Sequence, residues 1–338
     1  VTGLRLAVLA MRGQEIPGGK LLELKGTTRY VMDYLIGEVL DRQPPGIRHC
    51  LLRTSILNRF SAPLCHVFCG PDSASGEGGM DGQSFITFAR ERNLFMVPLD
   101  TENRWHRYHQ LFQTFLQSHL KKRCSPEEIA ALHFRAGEWF ELQGLITESI
   151  KHVLAAGDAM CAADIIERHR DNAFTADRWH VVQRWLAMLP VHIKRERPKL
   201  LLTEAWIGNL QHQLDRVPML LDQAEPLLRG QTETPTVSGE FAFFRGYIAY
   251  FEGQTEQSLH YLEDSVSQLS HTKSPFLGDA ELMLGLARCM GGRKEAAVRG
   301  LEAWIGEVDP SEGYRLSRLI AGLAFIHQLW GDLLPARV

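Results

Sequence analysis

Leu94-Phe95-Met96-Val97-Pro98-Leu99, then Asp100-Thr101-Glu102-Asn103, then Arg104-Trp105-His106-Arg107-Tyr108: an apolar run, a polar turn and an aromatic run follow one another without a break. Two short apolar or aromatic runs around a polar turn read as a β-hairpin. Immediately upstream, Ser84 to Arg92 has the pattern of a helix. Further upstream, Ser61-Ala62-Pro63-Leu64 reads as the cap and first turn of another. Gly46 to Ser55, entered through Pro44-Pro45, carries Ile47, Leu51 and Leu52 on one helical face. Thr27 to Leu40 spaces Tyr30, Val31, Tyr34, Leu35 and Val39 helically, with Thr27 or Thr28 as N-cap. Gly70 to Gly82, rich in Gly, Ser and Asp, is a flexible loop. Helices, a hairpin and a closing helix in this order predict a winged-helix domain over 27–124. Residues 1–26, a short apolar helix from Thr2 to Arg12 and a Pro17-Gly18-Gly19 break, form a separate lead-in.

After Ser125-Pro126-Glu127-Glu128 no β-rich run appears, and helix-length patterns follow one another. A Gly at a helix-to-helix turn recurs with a small residue five positions on: Gly144 with Ser149, Gly157 with Ala162, Gly253 with Ser258, Gly291 with Ala296 and Gly331 with Ala336. The last three turns are spaced 291 − 253 = 38 and 331 − 291 = 40, and His212 with Val217 fits as a degenerate turn 253 − 212 = 41 residues earlier. Gly supplies the positive φ that ends one helix, and the small residue lets the next pack closely. The expected fold is therefore mostly α: a winged-helix domain followed, over 125–338, by a tetratricopeptide-like α-helical repeat superhelix, here incomplete.

The 338 residues carry 45% hydrophobic and 23% charged side chains and a formal charge of -3. That balance belongs to a globular protein and excludes a nucleic-acid binder that works by bulk positive charge. No apolar run approaches the roughly 20 residues of a membrane span. The six Cys are too sparse for a disulfide scaffold, which points to a reducing, cytoplasmic compartment. The chain opens on Val1 within a helical pattern, with no initiator Met and no secretory signal, and reads as a fragment of a longer protein.

The chemical motifs are few. Gly13-Gln14-Glu15-Ile16-Pro17-Gly18-Gly19-Lys20-Leu21 has Leu where a phosphate-binding loop needs a hydroxyl, and reads as a linker. Cys65-His66-Val67-Phe68-Cys69 has the wrong order for haem attachment and no second pair for zinc, so its cysteines read as buried helix residues. His106 and His109 do not form a metal pair. Lys121-Lys122-Arg123 and Lys194 to Lys199 suit helix ends or loops. The Trp residues at 139, 179, 185, 206 and 304 read as core wedges. No nucleophile–base pairing is visible, so the chain is not expected to be an enzyme.

Several stretches resemble one family, the large ATP-dependent LuxR-type regulators, or MalT-like transcription activators, which are signal-transduction ATPases with numerous domains. They are the Gly3 to Gly13 segment, the run from Arg29 to Leu40, Leu51-Leu52-Arg53-Thr54-Ser55-Ile56-Leu57, Asn93 to Asp100, Trp105 to His109, Leu132 to Leu145 and Ile150 to Asp158. The resemblance is dense over 1–230 and rests on the repeat beyond. It implies an order of ATPase module, winged helix, helical-repeat sensor and C-terminal helix-turn-helix. This chain would hold the tail of the first (1–26), the second (27–124) and part of the third (125–338). It implies a central regulatory and sensor region, in which the winged helix reports nucleotide state and the repeats bind an unknown small-molecule inducer or a regulatory protein. ATP or ADP would be the cofactor of the parent protein and not of this stretch alone. DNA would be met only through a C-terminal domain missing here, no membrane would be involved, and the parent would self-associate when active. Related switch ATPases place a Met-His-Asp triplet in the winged helix, with its His on the β-phosphate of ADP. Tyr108-His109-Gln110 falls at that place, so the resemblance implies His109 as the nucleotide-contacting residue. The alternative is a free-standing helical-repeat interaction scaffold with no nucleotide or DNA function.

Overall fold

The structure, a computed structural model, describes residues 39–70, 79–229 and 234–331. The Thr2 to Arg12 helix, the Gly13 to Leu21 linker, most of the Thr27 to Leu40 helix, positions 71–78 of the glycine-rich loop and Ala336 lie outside the described residues. The chain divides into two compact units, 1–158 and 159–338.

The first unit contains α1 (Pro45–Thr54), α2 (Ala62–Cys69), α3 (Gly82–Glu91), β1 (Met96–Pro98), β2 (His106–Tyr108), α4 (Gln110–Arg123), α5 (Pro126–Leu142) and α6 (Ile146–Ala155). The strands are antiparallel, with Met96 opposite Tyr108, Val97 opposite Arg107 and Pro98 opposite His106. The polar turn holds its shape because the Asp100 carboxylate accepts from the backbone N–H of Arg104 (2.7 Å) and of Trp105 (3.2 Å). Phe60 bridges the other edge of β2 at His106. Helix α3 starts two residues before the pattern suggests, because Asp81 caps it by accepting from the N–H of Gln83 and Ser84. This is the winged-helix arrangement. Its core joins Leu51, Leu57, Phe60, Phe68, Phe85, Tyr108, Phe112 and Leu116.

The composition changes at 124/125, yet the packing does not divide there. Leu132, Ala136 and Phe140 of α5 belong to the winged-helix core. The Ser125–Glu128 capping box fixes where α5 begins, with each residue bonding the other's backbone. Thus the first helical hairpin, α5 and α6, folds with the wing, and the units divide at 158/159.

The second unit is helical throughout: α7 (Ala159–Thr175), α8 (Trp179–Met188), α9 (Val191–Arg195), α10 (Pro198–Leu210), a 3-10 turn (Leu214–Arg216), α11 (Val217–Leu228), α12 (Pro235–Phe251), α13 (Thr255–Leu269), α14 (Leu277–Met290), α15 (Lys294–Glu307) and α16 (Gly313–Leu329). The turn residues do take positive φ: Gly144 at 71°, Gly157 at 87°, His212 at 57°, Gly253 at 75° and Gly331 at 77°. One expected turn is shifted by a residue. Gly292, not Gly291, has φ 74°, and the buried small residue five positions on is Ala297, not Ala296. Asp177, with φ 52°, is a further turn of the same kind, five residues before the buried Val182. The turns thus follow at 212 − 177 = 35, 253 − 212 = 41, 292 − 253 = 39 and 331 − 292 = 39 residues.

Close helix pairing has a second cause, small residues on the first helix of each hairpin. A Cβ on Gly246 would lie 2.6 Å from Leu262 Cγ, and one on Gly137 would lie 2.6 Å from Val153 Cγ2. Across the α12–α13 contact, Ser258 and Ser265 donate to the carbonyls of Gly246 (2.9 Å) and Gly239 (2.8 Å). Counted back from the turn, Gly137, Ala205, Gly246 and Gly285 occupy one equivalent place (253 − 246 = 7, for example). In the hairpin that turns at Asp177 that place belongs to Arg170, a fully buried charge.

Candidate functional site

His109 is the N-cap of α4, directly after β2, and its ring is exposed with no capping hydrogen bond. Its backbone is held: its N–H donates to the Phe95 carbonyl (2.8 Å) and its carbonyl accepts from Gln113 (3.0 Å). Next to it Tyr108 is buried, its hydroxyl 2.7 Å from Thr54 Oγ1 and its ring against Phe60 and Phe112. The hairpin therefore presents an exposed imidazole on a rigid base. Trp105 lies under the Arg59 guanidinium (4.7 Å) and edge-on to Trp139.

The remaining residues singled out in the sequence are separated by the fold. Cys65 and Cys69 are buried on α2 near Cys50, where burial pushes both thiols up, and His66 between them is exposed. Among the described residues no three His, Cys, Asp or Glu side chains gather to hold a metal ion. Lys121, Lys122 and Arg123 form the exposed last turn of α4. The second basic cluster is paired internally: Lys194 with Glu204 (2.7 Å) and Arg197 with Asp164 (2.5 Å) and Glu167 (3.3 Å). Trp185 and Trp206 are core residues, but Trp179 is half-buried and lines a cavity.

That cavity, of about 150 Å³, was not legible in the sequence. Its wall combines Phe174, Trp179, Trp206, Phe276 and Tyr314 with Asp177, Asn209, Asp279 and Arg318. Asp279 accepts from Arg318 Nε (3.0 Å) and from the Tyr314 hydroxyl (3.1 Å). Burial, opposed by Arg318 and the Tyr314 hydrogen bond, pushes its carboxyl up to about 6. Behind the wall lies a fixed charge. Arg170 donates to Glu240, to Thr203 Oγ1 (2.6 Å) and to the Lys199 carbonyl (3.2 Å), and Trp206 Nε1 donates to Glu240 Oε2 (3.1 Å). Trp206 is sandwiched between Phe276 (3.8 Å between centroids) and Phe243 (4.6 Å). Burial pushes the Glu240 carboxyl up, and the Arg170 charge pulls it back. A second, larger groove of about 220 Å³ is lined by Gln183, Lys194, Glu204, Gln211, Gln213 and Arg216, with Lys194 and Glu204 paired to each other.

Two further polar features were missed. His106 is buried with neither ring nitrogen hydrogen-bonded, and burial, helped by Arg90, lowers its pKa. His133 and His152 meet Nδ1 to Nδ1 at 2.9 Å between α5 and α6. No described helix is long and apolar enough to cross a membrane.

Residues 36–129 match the MalT winged helix domain family. Over 232 residues, 68% of its length, the chain is 31% identical to the HTH-type transcriptional regulator MalT of Klebsiella pneumoniae subsp. pneumoniae. The chain spans about a quarter of that relative, 24%.

Proposed function

The chain is MalT-like through its winged helix and into the helices beyond, and from that premise we propose that it is the central regulatory region of an ATP-dependent transcriptional activator. In this reading the winged helix reports nucleotide state and the helical unit binds an inducer or a partner protein. The observation that carries it is the joint match. Winged helix and following helices run together in one relative whose name is that of a transcriptional regulator, and the match of 232 residues is too long for the winged helix alone. Phosphate binding, ATP turnover and DNA reading belong to other parts of a longer, cytoplasmic protein that self-associates when active. This stretch is not itself the enzyme.

Within that reading His109 touches the phosphate of bound ADP and holds the resting state. Its exposed ring on a backbone held by Phe95 and Gln113 supports the role. A hydrogen bond to a charged group contributes about 1.5–3 kcal/mol. Losing it from the closed state alone shifts the closed-to-open ratio by roughly 10- to 150-fold. The experiment is a promoter–reporter assay on the full-length protein with His109→Ala, run beside a thermal melt. Raised inducer-independent transcription with an unchanged melt is expected. Unchanged basal transcription in a stably folded variant would remove His109 from the switch.

A further inference from the structure

The wall of the 150 Å³ cavity is unlike its surroundings in two ways. It forms where the hairpin pattern is broken: the turn residue is Asp177 rather than Gly, and the close-packing place holds Arg170 rather than Gly or Ala. It also brings together groups from five helices and a turn, with Phe174 from α7, Trp179 from α8, Asn209 from α10, Asp279 from α14, Tyr314 and Arg318 from α16, and Asp177. We propose that this cavity is the effector site of the helical unit and that it takes a small organic cation, a primary or quaternary ammonium. The proposal rests on the sensor reading above and names the ligand class of that sensor.

Size, charge and wall chemistry each narrow the choice. A cavity near 150 Å³ holds a group about as large as benzene, roughly six non-hydrogen atoms. Two carboxylates, Asp177 and Asp279, line it against one guanidinium, Arg318, and Arg318 is already committed to Asp279 and the Tyr314 hydroxyl. An incoming cation therefore finds a net negative pocket. The remaining wall is aromatic, and ring faces attract ammonium groups, most strongly when both are out of water. The site is also joined to the interior. Trp206 and Phe276 form its floor, Trp206 donates to Glu240, and the Arg170 guanidinium lies 5.8 Å from the Phe276 ring. An occupant thus presses on rings fixed by the charge that links α7, α10 and α12.

Occupancy depends on an ionised Asp279. The groups that face it are Arg318 and Tyr314 from α16 and Tyr247 from α12, with Asp177 in the same cavity wall. A bound cation favours the carboxylate, so its affinity falls as pH drops below about 6 and Asp279 protonates.

Isothermal titration of the whole chain tests the proposal, with choline, tetramethylammonium and cyclopentylamine as cations and with their neutral counterparts 3,3-dimethylbutanol and cyclopentanol as probes. At least one cation is expected to bind about 10-fold or more tightly than either neutral probe, and more weakly at pH 5 than at pH 7.5. Asp279→Asn and Trp179→Leu, each checked for folding by circular dichroism, should each weaken binding about 10-fold or more. Equal binding of choline and its neutral isostere overturns the cation. So does a failure of every cation to bind at concentrations up to about 10 mM. Full affinity in both folded variants overturns the site. A reporter assay separates this from the sensor reading. If the full-length regulator answers a neutral inducer and loses that answer in Asp279→Asn, the sensor reading stands and the ammonium class falls.

Discussion

Arg170 stands where four other hairpins have Gly or Ala, and the cost of burying a guanidinium is met only by its partners. Glu240, Thr203, the Lys199 carbonyl and Asp171 (3.0 Å) surround it. Removing one member of a buried pair leaves the other charge unpaired and costs about 3–5 kcal/mol. Arg170→Ala is therefore expected to lower stability by that amount in a urea titration. The double variant Arg170→Met with Glu240→Leu, which removes both charges and keeps volume, should recover most of it. A double variant as unstable as the single one would show that the network contributes more than its charges. The His133–His152 pair makes a pH prediction. Burial, with His133 and Lys151 adding to it, holds His152 down to about 4, against an unfolded value near 6.5. A lowered folded pKa contributes stability that is complete above the unfolded value and lost as pH falls through the folded one. Stability of the first unit should thus decline from about pH 6.5 to about pH 4, by on the order of 3 kcal/mol. His152→Phe, which keeps the stacking on Phe140, should flatten that limb in chemical melts taken across the range.

At the scale of elements, side-chain caps fix the starts of two helices. Asp81 and the Ser125–Glu128 box fix the starts of α3 and α5. The turn after α14 offers a comparison of adjacent glycines. Gly292 has φ 74° with open space around its Cβ position, whereas Gly291 has an ordinary φ and a Cβ would approach the Thr255 methyl at 3.2 Å. A side chain in the left-handed region costs roughly 1–2 kcal/mol. Gly292→Ala should therefore destabilise the second unit by about that much, and Gly291→Ala by less, as a pair of denaturant titrations would show. The reverse order would place the turn back at Gly291.

For the molecule as a whole, the question is which stretches fold together. Leu132, Ala136 and Phe140 complete the winged-helix core. Burying a large apolar side chain contributes about 1.5–3 kcal/mol. A chain ending at Asp158 should accordingly be more stable than one ending at Cys124, by several kcal/mol, in urea unfolding followed by tryptophan fluorescence. Equal midpoints would return the boundary to the change in composition. The two readings differ because composition records which kind of element comes next, while packing records which apolar faces cover one another.

Among the described residues, the order of the winged-helix elements and the position of most helix-to-helix turns follow from local sequence signals. Hairpin, caps and turns depend on residues a few positions apart, and the local signals at 94–108, 125–128, 144, 157 and 253 all appear in the structure. The place of His109 between the hairpin and the next helix follows from those local signals, its selection came from the family resemblance, and the exposure of its ring is added by the structure. The meetings of residues far apart in the chain depend instead on how the helices pack. Arg170 with Glu240, His133 with His152, and Asp177, Trp179, Asn209, Asp279 and Arg318 around one cavity have no shared motif or spacing. The Gly291-for-Gly292 shift belongs here too. Either glycine can take a positive φ, and the choice falls on the register that buries Ala297 against its neighbours. A local pattern can state that a helix turns; which side chains the turn then brings together depends on the angle and register of every helix packed beside it.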